Sequence, residues 1–138
     1  MGFSPKIRVV VVLTVGLLGL LSSVTCAVAP KPDTTLSMDQ CNLESYSEES
    51  EFGKNVNLVI SNLVENTQNR PNYNYGNNSP NIDNFVCGHA TCNPELKKSE
   101  CKKCLSVASK MVHNLCANRI GGHVELVDCT IRYEKYPF

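Results

Sequence analysis

The chain has 138 residues, of which 42% are hydrophobic, and its 13 Lys and Arg residues balance 13 Asp and Glu residues. The length corresponds to one domain, and the apolar content excludes wholesale disorder. Because the net charge is zero, there is no general electrostatic reason to bind nucleic acid or an anionic membrane. Eight cysteines exceed what a reduced cytosolic chain of this length needs, which indicates an oxidising compartment.

The first 27 residues have the three parts of a secretory signal peptide. Two basic residues, Lys6 and Arg8, precede an apolar run over residues 9–21, and small residues follow at 22–27. We predict cleavage after Ala27, which leaves a single mature domain of residues 28–138 with seven cysteines. The alternative is an uncleaved anchor, but an apolar run of 13 residues is short for a spanning helix. The sequence therefore predicts an exported protein without stable membrane insertion.

The first half of the mature chain predicts strand, helix and strand. A loose leader merges into a short strand near residues 36–40. Apolar residues then recur at helical spacing, which predicts a helix over 51–67 with Ser50 as its N-cap. Tyr73 and Tyr75 alternate with asparagines, which is typical of a strand that leads into a loop around residues 76–81.

The second half predicts a return strand over 85–92 and a helix over 99–117, capped by Ser99 or a neighbouring polar residue. The apolar stripe of that helix consists of Cys101, Cys104, Leu105, Ala108, Met111, Val112 and Leu115. A turn at Gly121 and Gly122 then leads into strands at 124–126 and 129–134, and the change of apolar parity between Leu126 and Val127 predicts a tight turn or a bulge there. Since the elements do not alternate as βαβ units, an α+β fold with an antiparallel sheet is favoured.

Residues 77–79 form a sequon for N-linked glycosylation at Asn77. We expect this asparagine to lie in the loop after the tyrosine-containing strand. The proline at position 80 directly follows the sequon and is expected to lower its occupancy.

Three chemistries compete for the cysteines Cys92, Cys101 and Cys104. Cys101 and Cys104 lie one helical turn apart and could bind zinc together with His89 or His113. The same two residues could form a redox-active pair. The third alternative, a disulfide framework, is favoured because an exported chain matures in an oxidising environment. Spacing alone leaves the connectivity open, since six cysteines allow 15 pairings.

Several segments together resemble the ginkbilobin-type domain, the plant cysteine-rich salt stress response/antifungal module that also occurs in receptor-like kinase ectodomains. The matching segments are Cys87–Cys92, the C-x8-C-x2-C pattern of Cys92, Cys101 and Cys104, Leu115–Cys116, Ile120–Cys129 and Arg132–Glu134. The resemblance covers residues 36–138, nearly the whole mature chain. It implies a fold of two helices packed on a five-stranded antiparallel sheet.

The resemblance also implies three disulfides: Cys41–Cys116, Cys92–Cys101 and Cys104–Cys129. Cys87 departs from the family pattern, which usually has an aromatic residue at this position. We interpret Cys87 as an unpaired, buried thiol and predict one free thiol per mature chain under denaturing conditions. A monomer is expected, and intermolecular pairing through Cys87 is the alternative.

The family's sugar site implies three ligand residues here: Asn42, His123 and Glu134. The family has arginine at the second position, so His123 is a substitution. A carboxylate accepts hydrogen bonds from sugar hydroxyls and an amide both donates and accepts, but a neutral imidazole lacks the five donors of arginine. We therefore expect a mannose site that is weakened or that depends on pH.

No nucleophile–base set or phosphate-binding loop is recognisable, so we expect neither an enzyme nor a cofactor. No metal ion is expected either, because the disulfide framework is favoured over the zinc site. The resemblance implies a secreted plant defence protein of the apoplast that inhibits fungal growth. Its expected partners are mannose or the mannose-bearing glycans of fungal cell walls. The alternatives are an apoplastic interaction or signalling module without sugar binding and an embryo- or seed-abundant protein.

Overall fold

The computed structural model of the protein describes residues 30–138, and the predicted signal peptide with its cleavage site lies outside them. The described residues form β1 (Leu36–Cys41), α1 (Glu51–Asn66), β2 (Asn74–Asn78), β3 (Cys87–Cys92), α2 (Lys98–Leu115), β4 (Gly121–Leu126) and β5 (Cys129–Glu134). Two short 3-10 helices, Thr67–Asn69 and Pro71–Tyr73, join α1 to β2. Neither α-helix of residues 30–138 has the length and apolarity that a membrane crossing requires. The predicted α+β fold is confirmed.

The five strands form one antiparallel sheet in the order β1-β4-β5-β3-β2. β4 and β5 are joined through Val127 and Asp128, where the sequence predicted a tight turn. The carboxylate of Asp128 accepts hydrogen bonds from the backbone N–H of Asp33 at 2.7 Å and from the Asn93 side chain at 3.1 Å. These bonds fasten the segments before β1 and after β3 to the same turn.

Alternation along the strands divides the sheet into an inner face, which packs against both helices, and an outer face. The inner face presents Ala90, Val124, Ile131 and Tyr133, all buried. Helix α1 contributes Val56, Ile60 and Leu63 to this core, and α2 contributes Leu105, Ala108 and Val112. Because successive strand residues point to opposite faces, the polar residues between these core positions lie on the outer face. Within residues 30–138, no helix covers that face.

The helix boundaries follow from local hydrogen bonds. Ser50 caps α1 as predicted, since its hydroxyl accepts the N–H of Gly53 at 3.2 Å. Helix α2 begins one residue earlier than predicted, and Ser99 lies inside it. The reason is that the Glu100 carboxylate accepts the N–H of Lys97 at 2.8 Å, which makes Lys97 the N-cap. Leu115, predicted in the apolar stripe, is 47% exposed because the helix ends there.

Two glycines predicted as a turn are instead the first residues of β4. Gly122 packs against the Tyr133 ring, and a Cβ atom there would lie 2.9 Å from Cε1 of that ring. Gly121 lies opposite Glu134, whose carboxylate occupies the space of a Cβ. The pair of glycines therefore allows close side-chain approach on both faces of the sheet, which a turn assignment from composition overlooks.

Three disulfides link the elements: Cys41–Cys116, Cys92–Cys101 and Cys104–Cys129. These pairs are the ones that the family resemblance implied. Cys101 and Cys104 point into the core and are bonded to different strands, so neither thiol remains for a metal or for a CxxC redox cycle. The Cys41–Cys116 bond joins the end of β1 to the residue after α2, beside the start of β4.

Candidate functional site

The three predicted ligand residues line one pocket of about 230 Å³ on the outer face of the sheet. Asn42 directly follows β1, His123 lies in β4 and Glu134 ends β5. Gln40, Cys41, Arg132 and Tyr136 complete the lining. The volume is below the roughly 300–1,000 Å³ of sites for drug-sized ligands, so the pocket suits a single small polar group such as one sugar ring.

Strand register brings these residues together in two neighbouring rows. In one row Gln40 pairs with His123, which pairs with Arg132. In the other row Gly121 pairs with Glu134, and the N–H of Asn42 donates to the Gly121 carbonyl at 2.9 Å. Residues opposite each other in antiparallel strands share a face, with Cβ atoms about 4.5–5.5 Å apart. His123, Arg132 and Glu134 therefore lie at strand positions, and Asn42 is held beside them by its bond to the β4 backbone.

Gly121 creates the space that the Glu134 carboxylate occupies. A Cβ atom at position 121 would overlap Oε2 of Glu134, so any larger residue would displace that carboxylate. The backbone of Gly121 has no positive φ, and its role is one of close approach. The absence of a side chain at position 121 therefore leaves room for this carboxylate in the pocket.

Glu134 is 9% exposed and is paired with Arg132. The Nε atom of Arg132 lies 3.3 Å from Oε1 of Glu134. The ring of Phe138 stacks on the same guanidinium, 4.1 Å from its carbon to the ring centroid. The two contacts hold the guanidinium in one orientation at the rim of the pocket.

Arg132 was not predicted as a site residue. Its sequence position gave a usable signal, because residues two apart in a strand lie on one face and Arg132 precedes Glu134 by two. What the sequence did not show is the pairing of Arg132 with His123, which follows from the β4–β5 register. A positive group therefore lies directly beside the substituted position.

His123 is neutral near pH 7. Burial lowers the pKa of its imidazole, and of the nearby charges Glu125 raises it, Arg132 lowers it and Glu134 raises it, with burial the dominant cause. The Nε2 atom lies 3.4 Å from Oε1 of Glu125, outside the pocket lining. The imidazole thus supplies no cation to this site at neutral pH.

Asn42 and Tyr136 add neutral hydrogen-bonding groups. The Asn42 side-chain oxygen accepts the N–H of Glu44 at 3.0 Å, which orients its amide nitrogen as a donor for other groups. Tyr136 is 46% exposed and contributes an aromatic ring and a hydroxyl to the lining. Together with the carboxylate of Glu134, the pocket holds donors and acceptors within one small volume, as the recognition of a polyhydroxylated ligand requires.

The other singled-out residues do not line the pocket. Cys87, in β3 opposite Glu134, is the one free cysteine of the described residues, and it is half-buried rather than buried as predicted, because it lies on the outer face of the sheet. Asn77 lies in β2 and not in the predicted loop, because β2 continues through Asn78 in pairing with β3. Its side-chain oxygen is buried, and the hydroxyl of Ser79 accepts the N–H of Val86 at 2.9 Å. Glycosylation at Asn77 stays a prediction, now at a strand position.

In residues 30–138, no three His, Cys, Asp or Glu side chains are grouped as metal ligands would be. His89 bonds the Asn74 side chain at 2.7 Å and His113 bonds the Asn57 side chain at 3.1 Å. The two histidines considered for zinc binding are therefore engaged with amides, and their candidate cysteine partners are disulfide-bonded.

Two helices on the inner face of an antiparallel sheet, three disulfides and a polar pocket on the outer face define a disulfide-stabilised α+β domain. The model of the family described as salt stress response/antifungal matches residues 38–136. The chain belongs to this family.

Among curated relatives, antifungal protein ginkbilobin-2 from Ginkgo biloba is 31% identical over 108 residues, covering 77% of this chain and 80% of the relative. Antifungal protein ginkbilobin-like protein 1 from Picea sitchensis is 28% identical, covering 85% and 89%. Plasmodesmata-located protein 8 from Arabidopsis thaliana is 32% identical, covering 75% of this chain and 34% of that protein.

Solved structures show the same fold. The tandem DUF26 ectodomain of the cysteine-rich receptor-like protein PDLP5 from Arabidopsis thaliana superposes with a TM-score of 0.69 at 25% identity, covering 75% of this chain. The corresponding ectodomain of PDLP8 gives a TM-score of 0.64 at 28% identity, covering 78% of this chain. The chain spans about half the length of these two ectodomains.

Proposed function

We propose that the chain is a secreted plant defence protein that inhibits fungal growth by binding mannose-bearing glycans of the cell wall. The proposal rests on one observation: Asn42, His123 and Glu134, distant in sequence, line a single pocket of sugar-ring size. The antifungal relatives from Ginkgo and Picea support the defence role, and the receptor-like ectodomains support an apoplastic location.

The pocket's chemistry is suited to vicinal hydroxyl groups. The Glu134 carboxylate can accept hydrogen bonds from two neighbouring hydroxyls, while the Asn42 amide donates to a hydroxyl or ring oxygen. A hydrogen bond to an ionised acceptor contributes about 1.5–3 kcal/mol, which is more than a bond between neutral groups contributes. Glu134 is therefore the principal anchor of the proposed mannose complex, and Asn42 fixes its orientation.

Replacing both anchors tests the proposal. In the Asn42→Ala/Glu134→Ala variant, we expect mannose affinity to fall on the order of 100-fold, because one charge-assisted and one neutral hydrogen bond are lost. Inhibition of a filamentous fungus should fall in parallel. Isothermal titration with mannose and a hyphal growth assay measure the two effects on the same preparations.

An Asn81→Ala/Glu95→Ala variant is the matched control, since it removes one exposed amide and one exposed carboxylate away from the pocket. Gly121→Ala is a second test of the Glu134 contact, because the added Cβ displaces the Glu134 carboxylate without changing the charge of the site. Gly76→Ala, where a Cβ makes only ordinary contacts on the same face, is its control. Equal growth inhibition by wild type and the double variant would remove the lectin mechanism and leave a defence role without it.

The pH dependence of mannose binding follows from His123. Because burial lowers the pKa of this imidazole below its ordinary value of 6.5, we expect constant affinity above pH 6.5 and a change only as pH falls below it. Protonation then adds a cation beside the sugar and strengthens binding. Titrations at pH 7.5, 6.5 and 5.5 should show this rise in the wild type and not in His123→Gln. A curve that is identical in both proteins would contradict a role for the imidazole.

The likeness to receptor-like ectodomains favours a second candidate, an apoplastic interaction module without sugar binding. Two results together would support this candidate: the wild type binds no mannose, and it captures a protein partner. Binding of that partner should be unchanged in the Asn42→Ala/Glu134→Ala variant. The same set of variants therefore separates the two functions.

A further inference from the structure

We propose that Arg132 supplies the cationic contact to the bound hexose, and that its pairing with Glu134 makes the pocket select neutral hexoses over hexuronic acids. This inference rests on the proposed sugar-binding function and assigns its ligand class. Three observations carry it: the position of Arg132 in the pocket lining, its two orienting contacts and the charge balance of the site.

The position follows from register. Arg132 lies on β5 opposite His123 and two residues before Glu134, so its guanidinium occupies the rim between them. The side chain is 35% exposed, and ligand access is open from the outer face. The guanidinium of Arg132 thus supplies, from the adjacent strand, the cationic group that His123 does not provide.

The two contacts of Arg132 leave its donor edge available. Phe138 covers a face of the guanidinium plane, and stacking of this kind leaves the in-plane N–H groups free. Only Nε is engaged, by Glu134. Among the described residues, no acceptor is bound to the remaining four N–H donors of the two terminal nitrogens. The guanidinium is therefore held in one orientation before a ligand binds, and the N–H groups of its two terminal nitrogens are free to donate to ligand oxygens.

The charge balance determines the ligand class. Within the lining, Arg132 and Glu134 carry opposite charges, and His123 is neutral at pH 7. Outside the lining, the opposite charges of Glu44 and Lys135 lie 3.5 Å apart and also cancel, while the Glu125 carboxylate lies 3.4 Å from the His123 imidazole. A carboxylate on the ligand would meet Glu134 as well as Arg132, and repulsion offsets the attraction. A neutral hexose uses both groups, with hydroxyls that donate to Glu134 and accept from Arg132.

The test compares mannose with mannuronic acid, which differs by a carboxylate, by calorimetric titration at pH 7.5. Wild type should prefer mannose. Mannose affinity should fall about 10- to 100-fold in Arg132→Gln. The affinity of Arg132→Lys should lie between those of wild type and Arg132→Gln, since lysine keeps the positive charge but lacks the paired N–H donors of the guanidinium. Glu134→Gln should reverse the preference, because Arg132 is then free to pair with the ligand carboxylate. Arg70→Gln, which removes another arginine stacked on an aromatic ring, is the control.

The outcomes separate this inference from the function on which it rests. If wild type binds mannose and Arg132→Gln, folded by circular dichroism, binds it equally well, Arg132 has no role and the proposed function stands. If Glu134→Gln leaves the preference unchanged, the selectivity is overturned. If wild type binds no mannose, the proposed function fails and this inference fails with it.

Discussion

Removing the Cys41–Cys116 disulfide is expected to lower the free energy of unfolding by about 4.5 kcal/mol, the chain-entropy estimate for a closed loop of this size. The bond closes a separation of 75 residues, the longest of the three. Since domains of this size are stable by only about 5–15 kcal/mol, the Cys41→Ala/Cys116→Ala variant should be marginally folded. Urea denaturation followed by circular dichroism measures the change.

The other two disulfides serve as controls of the same chemistry. With separations of 25 and 9 residues, Cys104–Cys129 and Cys92–Cys101 should contribute about 3.5 and 2.7 kcal/mol on the same estimate. All variants are best made with Cys87→Ser, which prevents thiol exchange. A loss that is equal for all three bonds, or greatest for Cys92–Cys101, would show that loop closure does not govern their contribution.

Tyr133→Ala is the second change with a large expected effect. It should lower the free energy of unfolding by about 3–5 kcal/mol, which is typical of removing a buried aromatic side chain. Tyr133 is 2% exposed, and its ring packs between the sheet and the end of α2. Its hydroxyl donates to the Arg119 carbonyl at 2.7 Å. Burial raises the pKa of this phenol, so it stays a neutral donor across the physiological range.

Two further variants help to interpret this effect, one that removes only the hydroxyl of Tyr133 and one at an exposed tyrosine that serves as a control. Tyr133→Phe keeps the ring and removes only the hydroxyl, which should cost about 1 kcal/mol. Tyr136→Ala removes a tyrosine that is 46% exposed, and surface changes of this kind usually stay within about 0.5 kcal/mol. Chemical denaturation of the three proteins gives the comparison. A loss of under 2 kcal/mol for Tyr133→Ala would mean that the ring is not a central part of the core.

Element type was predictable from the sequence because both helices and most strands keep their hydrophobic period. The apolar spacing of α1 and α2 and the parity change before β5 identified helices, strands and the turn between β4 and β5. The errors arose where a tertiary contact determines the local structure. Gly121 and Gly122 were predicted as a turn because the residues that require them to be glycine, Glu134 and Tyr133, lie 13 and 11 residues further along the chain.

The candidate site, like the fold, could be predicted from the sequence only in part. Asn42, His123 and Glu134 were identified through the family resemblance, and they share one pocket. Arg132 was missed, since its proximity to His123 depends on the pairing of β4 with β5, which residue types alone do not specify. The orientation of its guanidinium depends in turn on Phe138, six residues further along the chain. Contacts between strands, unlike periodicity within them, require the register.

The division of the sheet into two faces has a consequence for how such a scaffold can diversify. The residues that maintain the fold point to the helices, whereas His123, Arg132 and Tyr136 meet solvent and any ligand. Substitutions at these solvent-facing positions leave the core and the three covalent cross-links intact. A combinatorial library over them should consequently yield folded proteins with altered ligand preference, and this chain is a suitable starting framework for directed evolution of small glycan-binding reagents.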